Sequence, residues 1–342
     1  MRRVVPGLLL LAGLAAFGWF VGQAQPARLL AELRQVGWAA WVLFLPYLAV
    51  YAADTRGWQM TLVPRPSAGF PALFRVRWAG EALNNVMPSA YVGGEALKAW
   101  LLQRHGVSMA VSAPAALVSK TIQTLAQLVF LAVAAAAFLS LGTAPPAFRW
   151  VLLLVLAGGI AGAAALLALQ WRGFFRTLTG VAGRLGIRSR LLEARAAELR
   201  RFDAAVGTFY RNERARFRAS FLWYLTGWLL DTTEILLVAR LFGVPLSWPQ
   251  ALAIEALTGV VKVANVAIPG ALGVQESGIV LLCRLAGAPV DFGMSYALLR
   301  RAREVLFVGV GWGWLWRERW AGGAAGALAS APTRPPGLRD PD

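Results

Sequence analysis

The chain has 342 residues, of which 58% are hydrophobic, a mean hydropathy of +0.57 and a formal net charge of +17. Soluble domains are usually about 45–50% apolar, so this composition excludes an ordinary soluble enzyme and indicates a membrane protein. Cys283 is the only cysteine and His105 the only histidine, which excludes an intrachain disulfide and a His/Cys metal site. No catalytic residue and no cofactor are predicted.

Apolar blocks of about twenty residues, the length that crosses a hydrocarbon core of about 30 Å, follow one another along the chain. They predict six membrane-spanning helices, at about residues 4–22, 38–62, 110–141, 148–170, 219–242 and 290–316. The first block follows Arg2 and Arg3 and lacks a small-residue cleavage site with a polar mature start, which favours an uncleaved helix over a signal peptide. The tail, residues 321–342, is rich in Ala, Gly and Pro and is predicted to be disordered.

Arginine is distributed unevenly between these blocks, and this distribution predicts the orientation. The segment 171–218 carries twelve arginines against four acidic residues, so the positive-inside rule makes it cytoplasmic, and its aromatic residues indicate an amphipathic surface segment. The loops 142–147 and 243–248 carry no charge and are predicted to face outward, whereas Arg2 and Arg3 place the N-terminus in the cytoplasm. The charge is therefore interpreted as topology and contact with anionic lipid in a bacterial inner membrane, and no nucleic-acid partner is predicted.

Two further stretches, residues 72–104 and 249–287, are apolar but contain Asn, Pro and Gly in their middle. Tracing the spans from a cytoplasmic N-terminus makes residues 63–77 cytoplasmic, in line with three arginines there, Arg77 among them. The tracing closes only if the first stretch enters and leaves from the inside and the second from the outside. Each stretch is therefore predicted to be a re-entrant hairpin and not a crossing.

The two broken stretches share the pattern N-x3-P-x6-E at an ungapped offset of 181 residues. The residues are Asn84, Pro88 and Glu95 in the first stretch and Asn265, Pro269 and Glu276 in the second. The same offset aligns Lys120 with Arg301, a basic residue inside the following span in each half. Two hairpins that enter from opposite faces form an inverted repeat, which is the architecture of alternating-access transporters. The alternative is that Asn, Pro and Gly mark ordinary helix kinks in Ala/Leu-rich sequence.

Breaks within a membrane helix leave backbone groups available for chemistry. Pro and Gly free backbone polar groups, which are tolerated at membrane depth only inside protein or beside a water-filled cavity. The half-helices that begin near residues 93–95 and 273–276 would each point a positive dipole end at such a cavity. The predicted fold is therefore an all-α, polytopic integral membrane helix bundle, in which two re-entrant hairpins related by an inverted repeat meet at a polar chamber near the midplane.

Ionisable side chains within the predicted spans are expensive in lipid and usually face a cavity or a partner. Helical spacing places Arg300, Arg303 and Glu304 in one stripe of the last span. The basic groups could hold a phosphate, which arginine grips bidentately. The alternative is that these charges form internal ion pairs that fix helix packing, for example Asp231 or Glu234 with an arginine of the last span.

The predicted substrate-binding set combines the residues of the repeat with charged groups of the spans. It comprises Asn84, Pro88, Gly93, Gly94, Glu95, Lys120, Asn265, Pro269, Gly270, Gly273, Glu276, Arg300, Arg301, Arg303 and Glu304. Glu95 and Glu276 are predicted to neutralise the basic groups when the site is empty, or to carry a coupling proton. The predicted ligand is an anionic membrane lipid or a lipid-linked headgroup, and no metal is predicted.

Both broken stretches match signature segments of a known family. The segments are Asn84-x3-Pro88-x4-Gly93-Gly94-Glu95 and Pro269-Gly270-x2-Gly273-Val274-x-Glu276. They resemble the lysylphosphatidylglycerol synthase transmembrane-region family, also described as a flippase-like domain, and the resemblance covers roughly residues 5–320. The second segment is similar to the family pattern PGGLGVRE, with Ala271 where Gly is usual and Gln275 where Arg is usual.

The resemblance implies a polytopic inner-membrane protein that moves a lipid, or a lipid-linked group, between leaflets. In full-length synthases a soluble aminoacyl-transferase domain follows the membrane region; the chain ends at residue 342, so we expect a stand-alone flippase-like member. The sequence contains no G-x-x-x-x-G-K-[ST] motif, so the expected driving force is an ion gradient, the lipid gradient or a partner. Alternatives of other classes are a membrane-embedded enzyme or accessory subunit of a lipid-glycan pathway, and a structural, partner-binding membrane protein.

Overall fold

The structure, a computed structural model, describes residues 44–86, 92–140, 142, 146–184, 195–264 and 274–329, with a few further positions between 27 and 37. Over these residues the regular secondary structure is helical, without strands, which confirms the predicted all-α class for this part of the chain. Eleven helices have complete bounds there. They are α1 (Phe44–Thr61), α2 (Phe70–Val86), α3 (Val92–Gln103), α4 (Met109–Ser140), α5 (Pro146–Arg172), α6 (Phe174–Arg184), α7 (Ala196–Asn212), α8 (Arg214–Leu241), α9 (Trp248–Ala264), α10 (Val274–Leu285) and α11 (Val290–Ala329).

Among the described helices, three are long and apolar enough to cross a membrane. They are α4, the part of α5 from Leu152 to Arg172, and α8. Each is at least 21 residues long, and a helix of that length spans about 30 Å at 1.5 Å per residue. They coincide with the predicted spans 110–141, 148–170 and 219–242.

The predicted spans 38–62 and 290–316 correspond to α1 and α11, which contain more polar and charged residues. Charged side chains of both helices, such as Asp54 of α1 and Arg303 of α11, are buried inside the bundle. α11 extends to Ala329, past the start of the predicted disordered tail at residue 321, because this part of the chain is rich in alanine, the best helix former. The predicted span 4–22 and the end of the tail lie outside the described residues.

The packing of α1–α4 is repeated in α8–α11. Within the halves, α2 packs against α3 as α9 does against α10, and α3 packs against α4 as α10 does against α11. Between the halves, α2 packs against α11 as α9 does against α4, and α1 packs extensively against α8. The first residues of α4 and α11, Met109 and Val290, keep the 181-residue offset. The repeat found in the sequence therefore extends to the arrangement of the helices.

Each predicted hairpin stretch contains two helices. The stretch 72–104 contains most of α2 and α3, and the stretch 249–287 contains most of α9 and α10. The segments that join them, residues 87–91 and 265–273, lie outside the described residues. Re-entry into the membrane from opposite faces therefore stays a prediction.

The seam between α1 and α8 is narrow because each helix presents a glycine to the other. A Cβ on Gly57 would lie 3.0 Å from the ring of Tyr224, and a Cβ on Gly227 would lie 2.6 Å from Oδ1 of Asp54. The Ser220 hydroxyl donates a hydrogen bond to the Gly57 carbonyl oxygen at 2.8 Å. Small residues let membrane helices bring their backbones together, and here they join the two halves of the repeat.

The basic segment that follows α5 forms two amphipathic helices, α6 and α7. The Asp203 carboxylate of α7 accepts hydrogen bonds from the backbone N–H groups of Phe175 and Arg176 at 3.1 and 2.9 Å, so it caps the N-terminus of α6. The Tyr210 hydroxyl donates to Oε1 of Gln170 at 2.7 Å and ties α7 to α5. Burial raises the pKa of Tyr210 to about 12, so this hydroxyl keeps its proton at neutral pH. The cytoplasmic position of the segment stays a prediction.

Candidate functional site

A cavity of about 820 Å³ lies between the two halves of the repeat. Helices α1 to α4 of the first half and α8, α9 and α11 of the second contribute to its wall. Its volume falls in the range of small-molecule sites, about 300–1,000 Å³. Among the described residues, four basic and five acidic side chains line it. They are Arg77, Lys120, Lys262 and Arg300, and Asp54, Glu81, Glu95, Asp231 and Glu255.

Two carboxylates and two lysines form a cluster on the first-half wall. Lys98 Nζ lies 2.6 Å from Oε1 of Glu95 and 3.4 Å from Oε1 of Glu81. Lys120 Nζ, from α4, lies 3.2 Å from the same Glu95 oxygen and 3.9 Å from the Glu81 oxygen, and donates to Gln123 at 3.1 Å. Each carboxylate therefore contacts both lysines, and the cluster ties α2, α3 and α4 together.

The repeat residue Asn84 positions the start of α3. Its Oδ1 accepts a hydrogen bond from the backbone N–H of Gly94 at 2.8 Å, and this N–H belongs to the first turn of α3, where backbone donors have no partner within the helix. A Cβ on Gly94 would overlap the Asn84 side chain and the Gly80 carbonyl oxygen, so the close approach requires glycine. The contact holds the next residue, Glu95, on the cavity wall, near the positive end of α3.

A buried ion pair joins α1 to α2 on the same side of the cavity. Arg77 Nη2 lies 2.6 Å from Oδ2 of Asp54 and 3.8 Å from Oε1 of Glu81. Arg77 lies within α2 and its side chain is 5% exposed, while the cytoplasmic position of residues 63–77 stays a prediction. Burial of the guanidinium is tolerated because two carboxylates offset the cost of removing it from water.

The second half has a corresponding cluster around α10 and α11. Arg301 Nε donates to Oε1 of Glu276 at 2.5 Å, and Arg301 Nη1 donates to Oε2 of Glu304 at 2.9 Å. The other oxygen of Glu304 accepts a hydrogen bond from Gln275 at 3.1 Å and lies 3.6 Å from Lys262 Nζ. Arg301 therefore bridges α10 to α11, and Glu304 extends the link to α9.

The 181-residue offset relates one ion pair in each half. Glu95 contacts Lys120 across α3 and α4, and Glu276 contacts Arg301 across α10 and α11. Both acids lie in the first turn of their helix. The structure thus joins the repeat residues of each half in the same way.

Arg300 and Arg303 of α11 are held by carboxylates of α8 and α9. Arg300 donates to both oxygens of Glu255, at 2.6 and 2.8 Å, and lies 3.6 Å from Asp231. Arg303 contacts Glu234 and lies 3.5 Å from Asp231. The alternative interpretation of these charges, internal ion pairs between Asp231 or Glu234 and an arginine of the last span, is therefore what the structure shows for Arg303.

The predicted site residues fall into three groups. On the cavity wall lie Glu95, Lys120 and Arg300. Other members are described by the structure but do not line the cavity, and these are Asn84, Gly93, Gly94, Glu276, Arg301, Arg303 and Glu304. Outside the described residues lie Pro88, Asn265, Pro269, Gly270 and Gly273.

The predicted site set left out three charged residues of the first-half wall, Asp54, Arg77 and Glu81, and also Lys98, which lies behind that wall. One signal was available, since Arg77 and Glu81 are four residues apart and lie on one helix face. Another was the offset, which aligns Glu81 with Lys262. The pairing of Arg77 with Asp54 left no trace in the sequence pattern, because the partners lie on different helices.

The model of the lysylphosphatidylglycerol synthase TM region matches residues 4–311. The chain belongs to this family. Membership agrees with the resemblance found in the two signature segments, and together with the apolar helices it makes the chain a multi-pass membrane protein with a role related to membrane lipid. No curated protein and no solved structure matches the chain.

Proposed function

We propose that the protein is a translocase that moves an anionic lipid, or a lipid-linked group, between the leaflets of the bacterial inner membrane. The cavity carries this proposal, because its charged wall is built from both halves of the repeat and lies among helices that can cross a membrane. A lipid headgroup is polar and cannot cross the hydrocarbon core unaided, and buried charge in a membrane protein commonly marks a transport path. The acyl chains would remain in the lipid beside the cavity.

The proposed mechanism uses the repeat. In it, α2–α3 and α9–α10 are re-entrant hairpins that enter from opposite faces, with the N-terminus in the cytoplasm, and rocking of one half against the other opens the cavity to each leaflet in turn. The repeated packing of α1–α4 and α8–α11 supports this scheme. The glycine seam between α1 and α8 would be the surface about which the halves move.

The charge on the wall constrains how an anion can bind. Each basic side chain of the described wall already lies near a carboxylate or an amide oxygen, so an entering anion competes with protein carboxylates. Protonation of Glu95 would weaken its hold on Lys120, which lines the cavity, and so couple movement of the headgroup to a proton.

We propose further that the protein does not convert its lipid chemically. Mass spectrometry of lipid recovered after incubation with purified protein tests this point directly. A new lipid mass would indicate the membrane-embedded enzyme instead, whereas unchanged mass with an altered distribution between leaflets supports the translocase.

Leaflet movement can be measured with the purified chain in proteoliposomes that contain a fluorescent phosphatidylglycerol, by adding an impermeant quencher from outside. The wild type should move the label faster than protein-free vesicles. Glu95→Gln and Arg301→Ala should reduce movement to the protein-free rate, while Arg200→Gln, which removes an exposed charge on α7, should not. Wild-type rates in both Glu95→Gln and Arg301→Ala would overturn the proposed site.

A further inference from the structure

The few lysines of this chain are concentrated at the cavity. The sequence has 34 basic residues, and only Lys98, Lys120 and Lys262 are lysines. Lys120 and Lys262 line the cavity, and Lys98 lies directly behind its wall, against Glu95 and Glu81. Arginine occupies every other basic position, from the exposed faces of α6 and α7 to the deep ion pairs of α11. All three lysines of the chain therefore lie in the wall of the cavity or directly behind it.

The two wall lysines also have the greatest access to the cavity among its described cations. The Lys120 side chain is 32% exposed and that of Lys262 is 26% exposed. Arg77 and Arg300, which line the same wall, are 5% and 7% exposed. An anion that enters the cavity therefore meets the two ammonium groups before it meets a guanidinium.

The contacts of the two lysines are spread over several oxygen atoms, whereas Arg300 is held by one close bidentate pair. The contacts of Lys120 with Gln123, Glu95 and Glu81 span 3.1–3.9 Å. Those of Lys262 are 3.3 Å to Asn85 and 3.6 Å to Glu304. Arg300, in contrast, holds Glu255 through two hydrogen bonds of 2.6 and 2.8 Å.

The chemistry of the ammonium group fits exchange of partners. It is a compact charge on a flexible stem with three donors that can turn, whereas a guanidinium in a bidentate pair is locked by its planar fork. Each lysine lies among several oxygen atoms, so one of its donors can pass to a new oxygen while others keep their contacts. α4 and α9, which carry the two lysines, pack against each other, and each comes from a different half of the repeat.

We propose that Lys120 and Lys262 together form the anion-binding pair, which takes the phosphate group of a lipid headgroup, and that Arg77, Arg300, Arg301 and Arg303 fix the helices around it. This inference rests on the proposed translocase function and revises the earlier expectation that arginines of the last span hold the phosphate. One lysine from each half would contact the phosphate, so the bound group would link the two halves.

The scarcity of lysine makes a direct test simple. The full-length protein in nonionic detergent is treated with a water-soluble amine-acetylating reagent, and acetylation of each lysine is read by peptide mass spectrometry, with and without dihexanoylphosphatidylglycerol or inorganic phosphate. Acetylation should be fastest at Lys120 and Lys262, and the short-chain lipid should protect both. Absence of protection at either lysine would overturn the pair, and protection by inorganic phosphate alone would overturn the assignment to a lipid.

A second measurement uses variants and binding. Titration calorimetry with dihexanoylphosphatidylglycerol should give a Kd at least about tenfold weaker for Lys120→Gln and for Lys262→Gln, as expected for loss of a charge-assisted hydrogen bond. Arg200→Gln is the matched control, since it removes one positive charge from an exposed site on α7. Wild-type affinity in both lysine variants would overturn the pair even where acetylation is blocked by the lipid.

The two proposals fail in different ways. If the lipid protects both lysines and yet does not change leaflet in proteoliposomes, the anion site stands and the translocase is wrong. If leaflet movement is present in the wild type and unchanged in both lysine variants, the translocase stands and the lysine pair is wrong.

Discussion

The two halves of the repeat differ in the cation that follows each broken stretch. Lys120 and Arg301 occupy aligned positions, and each contacts the aligned acid, Glu95 or Glu276. The Lys120 side chain is 32% exposed and lines the cavity, whereas the Arg301 side chain is 2% exposed between two carboxylates. The first half thus presents its cation to the cavity, and the second half uses the equivalent cation to hold helices together.

Charge is reversed at another aligned pair, Glu81 of α2 and Lys262 of α9. Glu81 lies 3.9 Å from Lys120 on the following α4, and Lys262 lies 3.6 Å from Glu304 on the following α11. Each half therefore joins equivalent helices with the opposite polarity, through partners that are not themselves aligned, since Lys120 aligns with Arg301. The helices that meet are equivalent in the two halves, while the sign and accessibility of the charge are set separately in each half.

Removing the deepest cation of the second half should have the largest effect on stability. Arg303→Ala leaves Glu234 and Asp231 without this counter-charge, and breaking a buried ion pair costs about 3–5 kcal/mol. Thermal unfolding of the purified protein in nonionic detergent should show a large fall in Tm. Arg200→Ala on α7 should leave the Tm unchanged, and equal Tm values for the two variants would show that this cation does not hold the half together.

Widening the seam between the halves should have the next largest effect. Gly227→Ala places a methyl group 2.6 Å from Oδ1 of Asp54, and overpacking of this kind costs about 1–3 kcal/mol. Both the Tm and the rate of leaflet movement should fall, because the seam positions both walls. Gly158→Ala is the control, since a Cβ there meets nothing within 4 Å and alanine favours the helix. A Tm for Gly227→Ala as high as that of the control would indicate that α1 and α8 do not approach so closely.

Giving the first half the cation of the second, by Lys120→Arg, should slow transport while leaving the stability of the protein almost unchanged. Lys120→Arg keeps the charge, but the planar guanidinium is expected to lock onto Glu95 and Glu81 as Arg301 locks onto its own carboxylates. Leaflet movement should slow by about tenfold, the factor that one charge-assisted hydrogen bond carries, with little change in Tm. Arg200→Lys, the reverse exchange at an exposed site, should change neither quantity. Full activity in Lys120→Arg would remove the functional distinction between the halves.

The smallest effect should come from the segment between the halves. Asp203→Ala removes the cap on α6, and loss of such a cap costs about 1 kcal/mol. The Tm should fall slightly, while leaflet movement should stay at the wild-type rate because α6 and α7 do not line the cavity. Glu198→Ala, an exposed acid on the same α7, is the control. A loss of transport in Asp203→Ala would place the segment within the mechanism.

Part of the site could be predicted because the repeat is a sequence property. The 181-residue offset alone aligned Glu95 with Glu276 and Lys120 with Arg301, and the structure places these residues in equivalent ion pairs. Asp54 and Arg77 were beyond such reasoning, because the offset aligns them with Ile235 and Thr258, which carry no charge.

The sequence by itself determined the helical class and three helices long and apolar enough to cross a membrane, because apolar length and residue spacing are local properties that need no partner. Only the tertiary structure decided which cations are buried against carboxylates and which reach the cavity. Lys262 and Asn85, for example, are far apart in the chain and meet only when α9 packs near α2. Whether a charge is held or exposed depends on such neighbours, and therefore on the packing of the whole bundle.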